Sequence, residues 1–232
     1  MASRGSRAEE LPADGTLLTA RGVRSRAALL EAARRLFRSK GYANTKIADI
    51  TQEADRALGS FYTYFANKED LLEQMAEDFK SEIDDGLTDL DLTGAEPYDV
   101  LRELCAVYWS SCRNHSAELA AIFQASMMDE RFARRWREIR SDARRNIAAG
   151  IRAVGQAGQA QNPEPEATAS ALGSMMDYFS YVWLVEGGEA DRPSLSDDVA
   201  IDTMARVLYR TVFAAPEPDT GSAVPGAAKK DS

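Results

Sequence analysis

Eight basic residues stand between Arg21 and Lys46 (Arg21, Arg24, Arg26, Arg34, Arg35, Arg38, Lys40 and Lys46), against one acid, Glu31. Guanidinium and ammonium groups at this density suit phosphate oxygens, because each contact releases condensed counterions from a nucleic acid. The rest of the chain is acidic. Residues 1–70 hold 12 Lys and Arg against 9 Asp and Glu, a balance of +3, and the remainder holds 16 against 28, a balance of −12, within a net charge of −9. A basic end on an acidic body confines phosphate binding to that end and helps orient it toward a duplex. Taken alone, such a run also fits a solvated helix face.

Covalent and metal chemistry find little support. The single histidine, His115, sits beside Asn114 at a helix junction and fits a structural or capping role better than that of a catalytic base. Cys105 and Cys112 lie seven apart and, with one histidine, lack the spacing of a zinc site. No phosphate loop or nucleophile elbow is present. The sequence therefore disfavours an enzyme and implies neither cofactor nor metal. Two cysteines on one helical stripe read as reduced and buried, which implies a cytoplasmic protein. The N-terminal Met1-Ala2-Ser3-Arg4 is polar, unlike a secretory signal, and no apolar run reaches the roughly 18 residues that would span a membrane.

The elements that must position these residues are all helical, since sustained two-residue alternation is absent. Residues 1–20 are expected to form a disordered basic arm and residues 215–232 a disordered tail. The first helix is expected over about 22–39, with Leu29, Leu30, Ala33, Leu36 and Phe37 on one face and Gly41 as its stop. A short helix carries Ile47, Ile50 and Ala54, and another carries Leu58, Phe61, Tyr62 and Phe65. Asn67 caps a longer one, with Glu69 and Asp70 in its first turn. A larger domain follows 84–97. Its stripes are Leu101, Leu104, Cys105, Tyr108 and Cys112, then Leu119, Ile122, Phe123 and Met127. A long arginine-rich helix is expected from about 129 to 155, a further one opening at Asn162-Pro163 and closing at Gly187-Gly188, and a last one after Pro193 and Ser196. The expected fold is all-α, about nine helices, with a three-helix unit over 21–67 and a larger helical domain over 68–214. Two short helices joined by a tight turn behind a longer one describe a helix-turn-helix, whose second helix enters the major groove.

The residues are more specific than the periodicity. Leu30-Glu31-Ala32-Ala33-Arg34-Arg35-Leu36-Phe37, Gly41-Tyr42, Thr45, Ile47 and Ile50 strongly resemble the N-terminal domain of the TetR family of transcriptional regulators. So do Gly59-Ser60-Phe61-Tyr62-Thr63-Tyr64-Phe65 and Asn67-Lys68-Glu69-Asp70-Leu71-Leu72. The resemblance is tight over about residues 22–75; beyond them it rests on helix number and length. It implies phosphate contacts from Thr45 and Lys46 at the start of the second helix, and from Lys68. It implies a recognition helix opened by Leu58, Gly59 and Ser60, with Tyr62, Thr63 and Tyr64 at positions that contact DNA in relatives. Phe61 and Phe65 read as core. Arg21, Arg24 and Arg26 are candidates for minor-groove or phosphate contacts, or for a solvated arm.

One departure stands out. Where the family's turn usually reads Ala-Gly-Val-Ser, this chain has Ala54-Asp55-Arg56-Ala57. Aspartate tolerates a left-handed backbone better than most residues, so Asp55 is an acceptable replacement for glycine. Ala57 forfeits a serine cap, at a cost of about 1 kcal/mol. Arg56 replaces a buried aliphatic residue and is expected to face the DNA backbone.

The resemblance also implies an effector pocket in the larger domain. Candidate lining residues are Tyr108, Trp109, Cys112, Phe123, Met127, Met128, Met175, Tyr178, Phe179 and Trp183, together fitting a hydrophobic or aromatic small molecule. The eight arginines of the long helix are expected to form exposed ion pairs with Glu138, Asp142 and neighbouring helices; recognition of an anionic effector, such as a coenzyme-A thioester or fatty acid, is the sharper alternative. The last two helices, about 164–186 and 197–213, resemble the pair that forms a dimer bundle in relatives, with Ala167, Ala169, Ala171, Gly173 and Ala205 allowing close approach. The resulting expectation is a ligand-responsive homodimeric regulator, a repressor in its simplest form, on palindromic double-stranded operator DNA. The competing reading is a helical ligand-binding or adaptor protein in which the altered turn has abolished operator recognition.

Overall fold

The computed structural model describes residues 19–158, 164–192 and 194–213. The proposed tail and most of the proposed arm lie outside them, as do Asn162, Pro163 and Pro193. Among the described residues there are ten α-helices and no strand: α1 Ala20–Lys40, α2 Ile47–Glu53, α3 Leu58–Tyr62, α4 Lys68–Thr88, α5 Pro97–Asn114, α6 Ser116–Met128, α7 Glu130–Ile139, α8 Ser141–Gln156, α9 Pro165–Tyr181 and α10 Asp197–Phe213. A π-helical stretch, Val182–Glu186, continues α9. No described helix is long and apolar enough to cross a membrane.

Local chemistry sets the helix ends. Thr19 accepts from Gly22 N–H, so α1 starts two residues earlier than the apolar stripe suggests; of the residues assigned to the arm, Ala20 belongs to it and Thr19 is its cap. Gly41, at φ 78°, ends it in a conformation that costs glycine nothing. At α4, Asn67 Oδ1 accepts from Asp70 N–H at 2.7 Å while Asp70 accepts from Ala66 N–H at 2.8 Å. Two otherwise orphaned amides are thereby satisfied. Pro97 and Pro165 occupy the first turns of α5 and α9, where a missing N–H does no harm. Left-handed Gly187 closes the π-helical stretch.

The tenth helix comes from a break. The helix expected over 129–155 is capped by Asp129 as its sequence suggests but is interrupted at Arg140, where ψ relaxes to −11°. There the guanidinium leaves the helix line to pair with Asp177 on α9 and to lie 5.7 Å from the Trp136 ring centroid. The neighbouring arginines are largely paired too: Arg135 with Glu73, Glu77 and Glu138, Arg145 with Asp142, and Arg152 with Glu166.

Two apolar cores result. One joins α1–α3 to α4, α6 and α7, around Leu29, Phe37, Ile50, Phe61, Leu71, Met75 and Ile122. The other is built from α5, α8, α9 and α10, around Trp109, Ile151, Leu172 and Met204. Burying one such side chain stabilises by about 1.5–3 kcal/mol. Tyr108 and Leu184 pack against both cores. The N-terminal helices thus share a core with α4 and α6.

Candidate nucleic-acid interface

The turn between α2 and α3 closes despite its unusual residues. Arg56 N–H donates to Thr51 O at 2.9 Å and Asp55 N–H to Gln52 O at 3.1 Å, the paired bonds of a Schellman stop. Asp55 holds the left-handed position, φ 53°, the one non-glycine residue at positive φ among those described. Asp55→Gly is therefore expected to raise the melting temperature. Relief of the left-handed backbone is worth about 1 kcal/mol after the entropic penalty of glycine, or about 2–4 °C in a chain of this size. A fall on thermal unfolding would show that the Asp55 side chain itself holds the turn. Ala57 caps α3 without a side-chain hydrogen bond, as expected.

A helix of five residues cannot persist alone. Phe61, fully buried, and Phe65, their ring centroids 5.5 Å apart, fix α3 to the core. That anchoring turns Leu58 (51 % exposed) and Tyr62 (56 % exposed) outward together with Gly59 and Thr63. An added Cβ at Gly59 would meet nothing within 4 Å, so the α3 backbone is open to close approach there. Ser60 and Tyr64 are half-buried, Tyr64 against the core. Arg56 is exposed, its guanidinium donating to Asp55 O at 2.7 Å.

The phosphate candidates divide. Lys46 is exposed at the start of α2. Thr45 is not available: it is buried, and its hydroxyl donates to Gly41 O at 2.8 Å, because the chain doubles back there to bring α2 under α1. Lys68 is half-buried, its Nζ donating to Tyr42 O at 2.9 Å and Thr45 O at 3.0 Å, 4.0 Å from the Tyr42 ring centroid. Desolvation lowers its pKa. One of its three N–H donors remains for a phosphate. Arg21 and Arg24 are exposed on the first turns of α1 and not on an arm, while Arg26 lies 5.7 Å from the Phe65 ring centroid.

The N-terminal helices are tied to the body by residues absent from the expected site. Glu118 on α6 is fully buried and accepts from Arg34 of α1 and from His115 Nδ1 at 3.1 Å. His115 Nε2 lies 2.6 Å from Glu82 of α4, and the ring packs 5.3 Å from Phe79. Six residues after Glu118, Gln124 Oε1 accepts from Tyr42 N–H at 3.0 Å and from Ala43 N–H at 3.4 Å. The available signal was one carboxylate in the otherwise apolar run from Ala117 to Phe123, which must find a cation.

Burial works to lower the His115 pKa, but hydrogen bonds to Glu118 and Glu82 outweigh it and the value is raised. Only the imidazolium can donate to both carboxylates. Its contribution to stability is complete below the unfolded value, about 6.5, and is lost as pH rises through the higher folded one. Burial works to raise Glu118 and Glu82, yet their bonds, chiefly with His115, lower both. Their contribution is present above about pH 4.3 and lost as pH falls through the depressed values. In thermal unfolding from about pH 5 to 9, the native chain is expected to lose more stability on the alkaline side than His115→Gln does. Parallel curves would remove His115 as the cause.

The pocket candidates are also divided. Trp109 and Cys112 are buried, Trp109 Nε1 donating to Asp197 of α10 at 2.6 Å. Tyr108, Phe123, Met175, Phe179 and Trp183 are half-buried against the two cores. Met127 (81 % exposed), Met128 (66 %) and Tyr178 (55 %) lie on the surface of the protomer and line no interior pocket. Met127 keeps the spacing of the Leu119, Ile122 and Phe123 stripe, but at the end of α6 it and Met128 face outward, as Tyr178 does on α9. Both cysteines are free, and burial pushes each thiol up to about 12.

Residues 29–75 match the family model described as bacterial regulatory proteins, tetR family. The chain is 35 % identical over 66 residues to the uncharacterized HTH-type transcriptional regulator YdgC of Bacillus subtilis, a match covering 28 % of this chain and 34 % of that protein. It is 22 % identical over 188 residues to the HTH-type transcriptional regulator EthR of Mycolicibacterium smegmatis, covering 81 % and 85 %. A solved TetR-family transcriptional regulator from Syntrophomonas wolfei shares the fold at TM-score 0.68 and 19 % identity, covering 87 % of this chain and 98 % of that one.

Proposed function

We propose that the chain is a transcriptional regulator of the TetR family, whose model matches residues 29–75, and that it binds palindromic operator DNA as a homodimer and releases it when a small, mainly apolar effector binds. The observation that carries this reading is α3: anchored by Phe61 and Phe65, it holds Leu58, Gly59, Tyr62 and Thr63 outward on the basic end of an acidic chain. Leu58 offers apolar contact to a base edge, while Tyr62, Thr63, Arg56, Lys46 and Lys68 offer donors to phosphates.

A single α3 reaches too few bases for selectivity, so a dyad-related second copy is required. Exposed Ala167, Ala171, Ser174 and Tyr178 along α9, with exposed Val199 and Val207 on α10, support a dimer through these helices. Ala169 and Ala205 play no part in it, being buried within the protomer.

The test is titration of the purified chain against DNA flanking its own gene, at several salt concentrations with competitor DNA. Specific, salt-dependent binding is expected; no preference over random DNA would end this reading and favour the ligand-binding or adaptor alternative. In the same assay Arg56→Ala is expected to weaken binding and reduce the salt slope by about two, one phosphate per protomer. An unchanged slope would take Arg56 out of the interface.

A further inference from the structure

Four buried polar side-chain atoms among the described residues lack a hydrogen-bond partner: Glu118 Oε2, Ser126 Oγ, Arg140 Nε and Ser180 Oγ. Buried polar groups are satisfied in the great majority of cases, so each such atom calls for an explanation. Arg140 and Ser180 belong to one arrangement. Tyr108 and Cys112, one turn apart on α5, face Asp177 and Ser180, one turn apart on α9. The Tyr108 hydroxyl donates to Asp177 Oδ1 at 2.8 Å, Arg140 pairs with Asp177 Oδ2, and fully buried Ser180 lies beside the Cys112 thiol, a weak partner. Ser180 is followed, after Tyr181, by the π-helical stretch, a rare conformation concentrated at functional sites. The remaining walls are aromatic: Trp136 against Arg140, and Phe123 against Tyr181 at 4.5 Å between centroids. The cleft where α4 and α7 begin, about 360 Å³, differs in kind. There Asp70 and Asp129 accept from backbone amides, and Arg135 is held by Glu73 and Glu77.

We propose that this line, Arg140–Asp177–Tyr108–Cys112–Ser180, partly exposed at Arg140 and fully buried at Ser180, is the polar anchor of the effector site and takes a neutral carbonyl compound (a ketone, ester or amide) with an apolar body. The inference rests on the effector-responsive reading above and names the chemical class that reading leaves open. Arg140 and Asp177 balance each other's charge, so a ligand with a full charge of either sign would face a like charge. The unmet groups are donors, Arg140 Nε–H and the Ser180 hydroxyl, and a carbonyl oxygen accepts from both. The aromatic walls and the flexible Met175 and Met176 side chains accommodate the hydrocarbon part.

Three probes of nearly one shape test this on the full-length protein by calorimetric titration: benzylacetone, butylbenzene and hydrocinnamate, respectively a ketone, a hydrocarbon and a carboxylate. Benzylacetone is expected to bind about tenfold or more tighter than butylbenzene, the difference made by a hydrogen bond to a charged donor, and tighter than hydrocinnamate. Arg140→Lys keeps a cation opposite Asp177 but lacks the Nε donor; Ser180→Ala removes an unpartnered hydroxyl and is expected to leave the melting temperature unchanged or raised. Both are expected to bring benzylacetone down to the affinity of butylbenzene. Absence of benzylacetone binding, tighter binding of hydrocinnamate, or variants that leave benzylacetone affinity unchanged would each overturn the proposal. If benzylacetone binds in the expected pattern without releasing operator DNA, the site stands and the effector response falls. If DNA is released by other compounds while benzylacetone fails to bind, the site alone is wrong.

Discussion

In the Arg34→Met protein the melting temperature is expected to fall by about 10 °C. Methionine keeps the length and apolar stem of the side chain but removes the cation facing Glu118, a carboxylate fully buried in α6 with one oxygen already lacking a partner. Removing one member of a buried pair leaves an uncompensated charge, which costs about 3 kcal/mol or more, and in a chain of this length each kcal/mol moves the transition by about 2–4 °C. His115 remains as Glu118's other partner and sets the lower bound of the range. The control is Arg34→Met with Glu118→Leu. Replacing both ions by apolar groups removes the stranded charge, so the double variant is expected to recover most of the loss. Single and double variants melting together would show that the pair is incidental to stability.

Phe61→Ala is expected to abolish operator binding while leaving the second core folded. The ring is fully buried beneath α3, and its removal costs about 3–5 kcal/mol as lost burial plus cavity. That loss falls on a helix of five residues with no side-chain cap and no length to sustain itself. Hydrogen exchange is expected to show the amides of α3 losing protection, with those of α5 and α10 unchanged. Phe61→Leu fills most of the space and is expected to retain binding with modest loss. Operator affinity within about twofold of the native chain in Phe61→Ala would mean that α3 is held by something other than its aromatic anchor.

The recognition helix was legible because its pattern is local: Phe61 and Phe65 share one face, leaving Leu58 and Tyr62 outside. The left-handed Asp55 was equally legible, since a short polar side chain after a helix admits few backbones. Thr45 misled because the hydroxyl suited to phosphate is equally suited to the carbonyl four residues back. The capture of Lys68 by Tyr42 O and Thr45 O could not be read, because those carbonyls lie 26 and 23 residues away in the chain. Met127, Met128 and Tyr178 were expected to line a pocket, but an apolar or aromatic side chain gives the same signal whether it meets the protein's interior or its surface. At the break Arg140 pairs with Asp177 across the body, a long-range contact without a local trace.

Gln124 and Glu118 together have a mechanical consequence. Six residues along α6 is about 9 Å, and the two side chains grip points eight to nine residues apart on the α1 side: Arg34, and the Tyr42–Ala43 amides just past the end of α1. A body pinned at one point can swivel in every direction; one pinned at two can turn only about the line joining them. A rotation of α6 across that line is therefore delivered to the N-terminal helices as rotation. Because the second pin grips backbone amides, the exposed side chain at position 43 can change without loosening it.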